Sequence, residues 1–193
     1  MDSVLLILFA YLLGSVLFGE LIARKKGIDL RSVGSGNVGA TNVSRALGKK
    51  YGVLVFFLDF LKGLFPVVLS RIYFGLESWT TVFVGLAAFL GHLYPFFHNF
   101  RGGKGVATAF GVLLAISPTI ALFSLLVWLL LFKLKGYVSL ASLGATGFAF
   151  ILSLIMLNFK LILMVSFITL LILYKHRDNI KRLLEGTELG FRR

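Results

Sequence analysis

Apolar residues fall along this chain in long unbroken runs, neither in the i, i+3, i+4 stripe of a soluble helix nor in the alternation of a half-buried strand. The runs extend from about Ser3 to Ala23, Gly52 to Tyr73, Trp79 to Leu90, Val138 to Leu157 and Leu161 to Tyr174. Several approach the roughly 20 residues that a helix needs to cross a bilayer. The region from Val106 to Phe132 is too long for one ordinary crossing, and Ser117-Pro118 interrupts it. Proline lacks the backbone donor that a helix interior requires, so the segment should break or kink there. The pattern predicts an all-α integral membrane protein, with residues 1–193 forming a single transmembrane domain.

Composition strengthens the membrane reading. Hydrophobic residues make up 58% of the 193, with Phe alone supplying 20, and the mean hydropathy is +0.94. A soluble domain needs about 25% charged residues to cover its surface. The start, "MDSVLLILFAYLLGSVLFGELIA", carries Asp2 where a signal peptide would be basic, so the run should be retained as a first span with its N-terminus outside. The chain has no Cys, which excludes disulfides and thiolate nucleophiles.

Charge decides the number of crossings. If the chain turns back at Ser117-Pro118, seven transmembrane helices place every loop cation except Arg71 and Lys160 on one side. A single kinked helix would instead move Lys133, Lys135 and the basic C-terminus to the other side and nearly balance the two faces. Basic loops stay cytoplasmic, so the sequence predicts seven spans, N-terminus outside and C-terminus cytoplasmic. The net charge of +12 then reads as positive-inside loops, not as a nucleic-acid surface.

This topology gathers the polar motif loops, near 31–50, 91–108 and 174–188, at the cytoplasmic face. In "RSVGSGNVGATNVSRALGKK", Gly34, Gly36 and Gly39 let the backbone curl closely around a ligand. Ser35, Asn37, Thr41 and Asn42 offer neutral hydrogen-bonding groups, and Arg45 a fork for phosphate oxygens. Ala40 to Leu47 should form a short interfacial helix. The hexapeptide "GSGNVG" matches a dinucleotide fingerprint, but its flanks are membrane helices and no β-α-β unit is visible. Asp59, at the distance expected of a ribose-binding acid, lies inside the second span with Lys62 on the same face. That pair reads either as an intramembrane ion pair or as part of the chemistry.

In "GHLYPFFHNFRGGKGVAT", His92, Asn99, Arg101 and Lys104 flank Gly102-Gly103 and Gly105 ahead of a new helix. Backbone amides and an ammonium there suit an anion. In "YKHRDNIKRLLEGTE", His176 and Asn179 share a helical face if the last span continues, while Lys175 and its basic neighbours suit lipid headgroups. Ser139 and Ser142 share a face of the sixth span, either as packing residues or as ligands. No metal motif occurs. None of His92, His98 or His176 has an Asp five positions on, so no His-x4-Asp pair is available, and no G-x-S-x-G elbow is present.

Together these three stretches, with "DFLKG" at Asp59 to Gly63 and "YVSLAS" at Tyr137 to Ser142, closely resemble the motifs of the bacterial acyl-phosphate-dependent glycerol-3-phosphate acyltransferases, the PlsY family. The likeness spans essentially the whole chain in order. It implies a bacterial inner-membrane enzyme, a monomer among membrane lipids, that moves a fatty acyl group from acyl phosphate to the 1-hydroxyl of sn-glycerol 3-phosphate. Lysophosphatidic acid and phosphate would be the products, with no cofactor, metal, acyl-CoA or acyl carrier protein. It further assigns Ser35, Asn37, Arg45, Lys104, His176 and Asn179 to phosphates and glycerol hydroxyls, Gly102 and Gly103 to close phosphate approach, and His92 and Ser142 to the acyl-phosphate head. Acyl phosphate is already activated, so positioning and charge neutralisation would carry the catalysis. The base is open between His92 or His176, with an ordinary pKa of about 6.5, and a substrate phosphate with a second pKa of about 6; the lack of a carboxylate in the first two motifs favours the phosphate. An organic-phosphate transporter is the reading from another class, since basic glycine loops and broken helices also suit anion permeation.

Overall fold

The computed structural model describes residues 2–191, and every regular element among them is helical. Ten α-helices occur among the described residues: α1 Ser3–Gly14, α2 Phe18–Lys25, α3 Ala40–Leu47, α4 Lys49–Phe74, α5 Trp79–Leu93, α6 Val106–Ile116, α7 Pro118–Lys135, α8 Val138–Met156, α9 Phe159–Lys175 and α10 Arg177–Leu184. Short polar side chains start several of them. Asp2 accepts from the amides of Val4 and Leu5, Ser78 from Thr81, Ser117 from Ile120 and Asn158 from Leu161, satisfying donors that the first helical turn leaves without partners.

Five segments are long and apolar enough to cross a membrane: Ser3–Lys25, Lys49–Phe74, Trp79–His98, Pro118–Lys135 and Val138–Met156. The pair Phe159–Lys175 and Arg177–Leu184 makes a sixth if its 56° bend is one span, and Val106–Ile116 is a shorter apolar helix. Their outer faces carry large exposed apolar side chains such as Leu5, Phe57, Phe65, Leu126, Ile155 and Leu170, as a lipid-facing surface would.

The helices group into two compact units, one ending at Ile116 and one beginning at Ser117. In the first, small residues let backbones touch. A Cβ at Gly14 would strike the Ala88 carbonyl and one at Gly91 the Tyr11 carbonyl, where α1 meets α5. Gly63 against Thr108 and Gly111 against Phe60 do the same for α4 and α6. Close approach of this kind replaces the hydrophobic drive that helices lack in lipid. In the second unit α8 packs between α7 and α9, and Trp128 Nε1 donates to Ser142 Oγ at 3.1 Å.

The expected first span is present as Ser3–Lys25, built of two helices that break at Ser15 to Leu17, where Ser15 Oγ turns back to the Tyr11 carbonyl at 2.8 Å. The condition that would put His176 and Asn179 on one face of a continuing last helix is not met. The helix α9 ends at Lys175, and His176 occupies the junction before α10. By contrast α3 has the expected limits, and the expected interruption at Ser117-Pro118 is present, with Ser117 as N-cap and Pro118 opening α7.

Candidate active site

The first loop is shaped from beneath by Asn42. Its residue is 1% exposed, its Oδ1 accepts from the Ser35 amide at 3.0 Å, and its Nδ2 donates to the carbonyls of Leu30 at 3.1 Å and Val33 at 3.0 Å. These bonds fix the curl that Gly34 (φ 58°) and Gly36 (φ 68°) permit by adopting left-handed backbone. A Cβ on Gly34 would collide with Asn42 Oδ1 and lie 3.9 Å from Arg45 Cδ, so the Arg45 stem passes beside this glycine. Asn42 therefore holds Ser35 and does not face a ligand, whereas Ser35, Gly36, Asn37 and Thr41 are half-buried and Arg45 is exposed at the end of α3.

The second loop is built against His92. The amides of Gly102 and Gly103, expected to face phosphate, donate instead to the carbonyls of Leu93 at 3.2 Å and His92 at 3.1 Å. Their lack of side chains still matters, because a Cβ on Gly102 would strike the His92 carbonyl and one on Gly103 the His92 Nε2. Gly105 (φ 77°) turns the chain into α6 past Phe89 and Leu93. Lys104, half-buried, stands between these glycines. His92 itself is 3% exposed, and its Nδ1 lies 3.7 Å from Asp59 Oδ1, beyond hydrogen-bond range. Asp59 is instead paired with Lys62 Nζ at 2.7 Å, and Lys62 also donates to the Val16 carbonyl at 2.7 Å. The intramembrane ion pair expected of these two residues is present. The first and second loops meet where Arg31 Nη2 donates to the Arg101 carbonyl at 2.7 Å.

In the second unit the C-terminal motif gathers on a residue that the sequence did not single out. Glu188 Oε1 accepts from Ser139 Oγ at 2.8 Å and from Asn179 Nδ2 at 2.7 Å, while its Oε2 accepts from Arg182 Nε at 2.9 Å. Burial alone would push this carboxyl up, but the hydrogen bonds from Asn179, Ser139 and Arg182, with the Arg182 charge, hold it below its ordinary 4.5. His176 Nδ1 meets the Ile172 carbonyl at 2.8 Å and must therefore carry its proton there, which makes Nε2 the acceptor of the neutral ring. His176, Asn179 and Ser142 are all buried. A Glu two positions beyond Gly186 was the available signal for the Glu188 hub, but nothing in its spacing names three donors from α8 and α10.

The chain is similar over nearly its whole length to proteins of known family. The family model described as glycerol-3-phosphate acyltransferase matches residues 4–186. A protein named glycerol-3-phosphate acyltransferase from Aquifex aeolicus is 59% identical over 99% of this chain and 100% of its own. One of the same name from Thermus thermophilus is 50% identical over 94% of this chain and 92% of its own. A crystal structure of PlsY (YgiH), an integral membrane glycerol 3-phosphate acyltransferase in its glycerol 3-phosphate form, superposes with a TM-score of 0.96 at 59% identity, covering 97% of this chain and 94% of that one. The lysophosphatidic acid form superposes with a TM-score of 0.92 at 57% identity over the same shares.

Proposed function

The chain belongs to the glycerol-3-phosphate acyltransferase family and is a multi-pass integral membrane protein, and from that premise we propose that it transfers a fatty acyl group from acyl phosphate to the 1-hydroxyl of sn-glycerol 3-phosphate. The products are lysophosphatidic acid and inorganic phosphate, and neither acyl-CoA, acyl carrier protein, cofactor nor metal takes part. The enzyme works as a monomer in the bacterial inner membrane. It crosses seven times, counting Val106–Ile116 and the bent pair as spans, with the N-terminus outside and the motif loops in the cytoplasm. The near-total placement of loop cations on one face supports that orientation.

The observation that carries the reading is the pair of braced loops in the first unit, one bearing Ser35 and Arg45, the other Lys104, joined through Arg31 and Arg101. A reaction between a phosphate-bearing alcohol and an acyl phosphate brings two anions together, and preorganised cations lower that cost. In the step itself the glycerol 1-oxygen attacks the acyl carbonyl, a C–O ester bond forms, and the C–O bond to phosphate breaks. Arg45 and Lys104 neutralise charge on the carbonyl oxygen and the departing phosphate. Ser35, Asn37, Thr41, His176 and Asn179 hold phosphates and hydroxyls, while His92 and Ser142 border the acyl-phosphate head. The hydroxyl proton passes to a substrate phosphate. The tight seating of His92 between Asp59 and Gly103 supports this, because a ring so held positions the loop more readily than it exchanges protons with substrate.

Purified protein in detergent or lipidic cubic phase, given palmitoyl phosphate and glycerol 3-phosphate in EDTA, should release phosphate and form lysophosphatidic acid. Turnover only with acyl-CoA, or proteoliposome uptake of glycerol 3-phosphate without acyl transfer, overturns the proposal; family membership already disfavours the transporter. Rate against pH for His92→Ala and His176→Ala tests the proton path. Loss of one pH limb with rescue by imidazole would assign the base to histidine.

A further inference from the structure

Glu20 lies within the first apolar run and is only 6% exposed at its side chain. Groups from three different segments close on its carboxylate. Arg24 Nη2 lies 2.5 Å from Oε1, Arg31 Nη2 lies 3.1 Å from Oε2, and His98 Nδ1 lies 3.5 Å from Oε2. Arg31 stands three residues before Gly34, and Arg101, whose carbonyl accepts from the same Arg31 nitrogen, directly precedes Gly102. One carboxylate thus gathers the approach to the Ser35 loop, the helical turn before it and the loop that leads to Lys104. An exposed ion pair would do little. Only the carboxylate is buried, Arg24 and Arg31 being 69% and 38% exposed at their side chains, so the tie depends on Glu20 as their shared acceptor, and its loss frees the Arg31 guanidinium that also reaches the Arg101 carbonyl.

We infer that Glu20 is a positioning residue that sets the spacing between the Ser35–Arg45 loop and the Lys104 turn without touching substrate. Its catalytic consequence rests on the acyl-transfer reading above, whereas the spacing itself does not. A chain without cysteine makes the spacing directly measurable. Val33 and Phe100, 38% and 56% exposed, stand on the two loops and can be replaced by spin-labelled cysteines in the otherwise native protein.

Pulsed electron resonance on the V33C/F100C pair should give one narrow distance distribution in the native background and a broader or longer one with Glu20→Gln. In the unlabelled protein, Glu20→Gln should lower kcat/KM by about ten- to a hundredfold, the scale of a misplaced catalytic constellation, with Glu20→Asp recovering part of the loss. Arg31→Gln breaks the same tie from the other side, and the double variant should lose no more than the worse single one. If Glu20→Gln fails to fold, Arg31→Gln carries both measurements. An unchanged distance distribution, or losses that add in the double variant, overturns the inference. Native protein that turns over no palmitoyl phosphate overturns the acyl-transfer reading instead, and the distance measurement still decides the role of Glu20.

Discussion

Asn42 braces the Ser35 loop in the first unit and Glu188 braces the C-terminal motif in the second, and these two braces differ in electrical kind. Asn42 in the first unit is neutral. It accepts from one amide and donates to two carbonyls, so it holds Ser35 without requiring a counterion. Glu188 in the second unit is a carboxylate that accepts from a hydroxyl, an amide and the Arg182 guanidinium. A neutral brace leaves the field around its loop to be set by Arg45. A charged brace draws the neighbouring arginine into the scaffold, which marks Arg182 as structural although it is as basic as Arg45.

The widest gap between the two regions should be kinetic. Arg45→Ala is expected to lower kcat/KM for palmitoyl phosphate and glycerol 3-phosphate by about 10²–10³, the scale for removing one transition-state donor, with a smaller change in thermal midpoint than Arg182→Ala. Arg182→Ala should lower the midpoint and cost far less in turnover. Equal kinetic losses, with neither midpoint moved, would erase the distinction. Next comes the neutral brace itself. Asn42→Ala leaves the Ser35 amide and the Leu30 and Val33 carbonyls without their partner, and should cost about 2–3 kcal/mol in stability by denaturant titration in detergent.

A smaller effect, but one that separates the two braces by sign, is pH dependence. The Glu188 carboxyl is held below its ordinary 4.5, so its contribution is complete above that value and disappears as pH falls through the lower folded value. Native protein should therefore lose thermal stability more steeply below pH 4.5 than Glu188→Gln does, whereas Asn42→Ala should leave that slope alone. The smallest effect belongs to the surface cations near the charged brace. Lys181, 76% exposed at its side chain and 3.9 Å from Glu185, should change stability by less than about 0.5 kcal/mol when replaced by alanine, with turnover unaltered.

How much of this was legible depended on the distance between partners along the chain. Asp59 and Lys62 sit three residues apart on one helix, so their pairing followed from helical periodicity alone. The limits of α3 were readable because glycine stands on each side of it, and the break before α7 because Ser-Pro opens a helix. The break in the first run was not readable, since the group that meets its Val16 carbonyl is a lysine 46 residues away. The same holds for Glu20, whose partners lie up to the second motif loop, and for Glu188, one of whose donors is 49 residues distant. The glycine pair at Gly102-Gly103 was recognised as a place of close approach, but the approaching group is His92 of the same chain, and its carbonyl claims the Gly103 amide that a phosphate was expected to use. Sequence composition marks where the backbone must yield room; it does not say to what.

The bond from Lys62 to Val16 has a consequence for the order in which the protein is made. A lone lysine at the centre of a helix costs about 2.5–3.5 kcal/mol on insertion, and Lys62, 2% exposed, remains buried in the finished molecule. Two features ease its entry. Asp59 arrives in the same segment three residues earlier, so α4 carries a nearly self-neutralised dipole in place of a bare cation. The gap between α1 and α2 has already left the ribosome, with the Val16 carbonyl released by that gap as a waiting acceptor. Synthesis from the N-terminus thus delivers the socket before the peg. A circular permutation that placed α4 ahead of α1 would have to insert Lys62 without its second partner, and membrane yield should fall even though every contact of the final fold stayed the same.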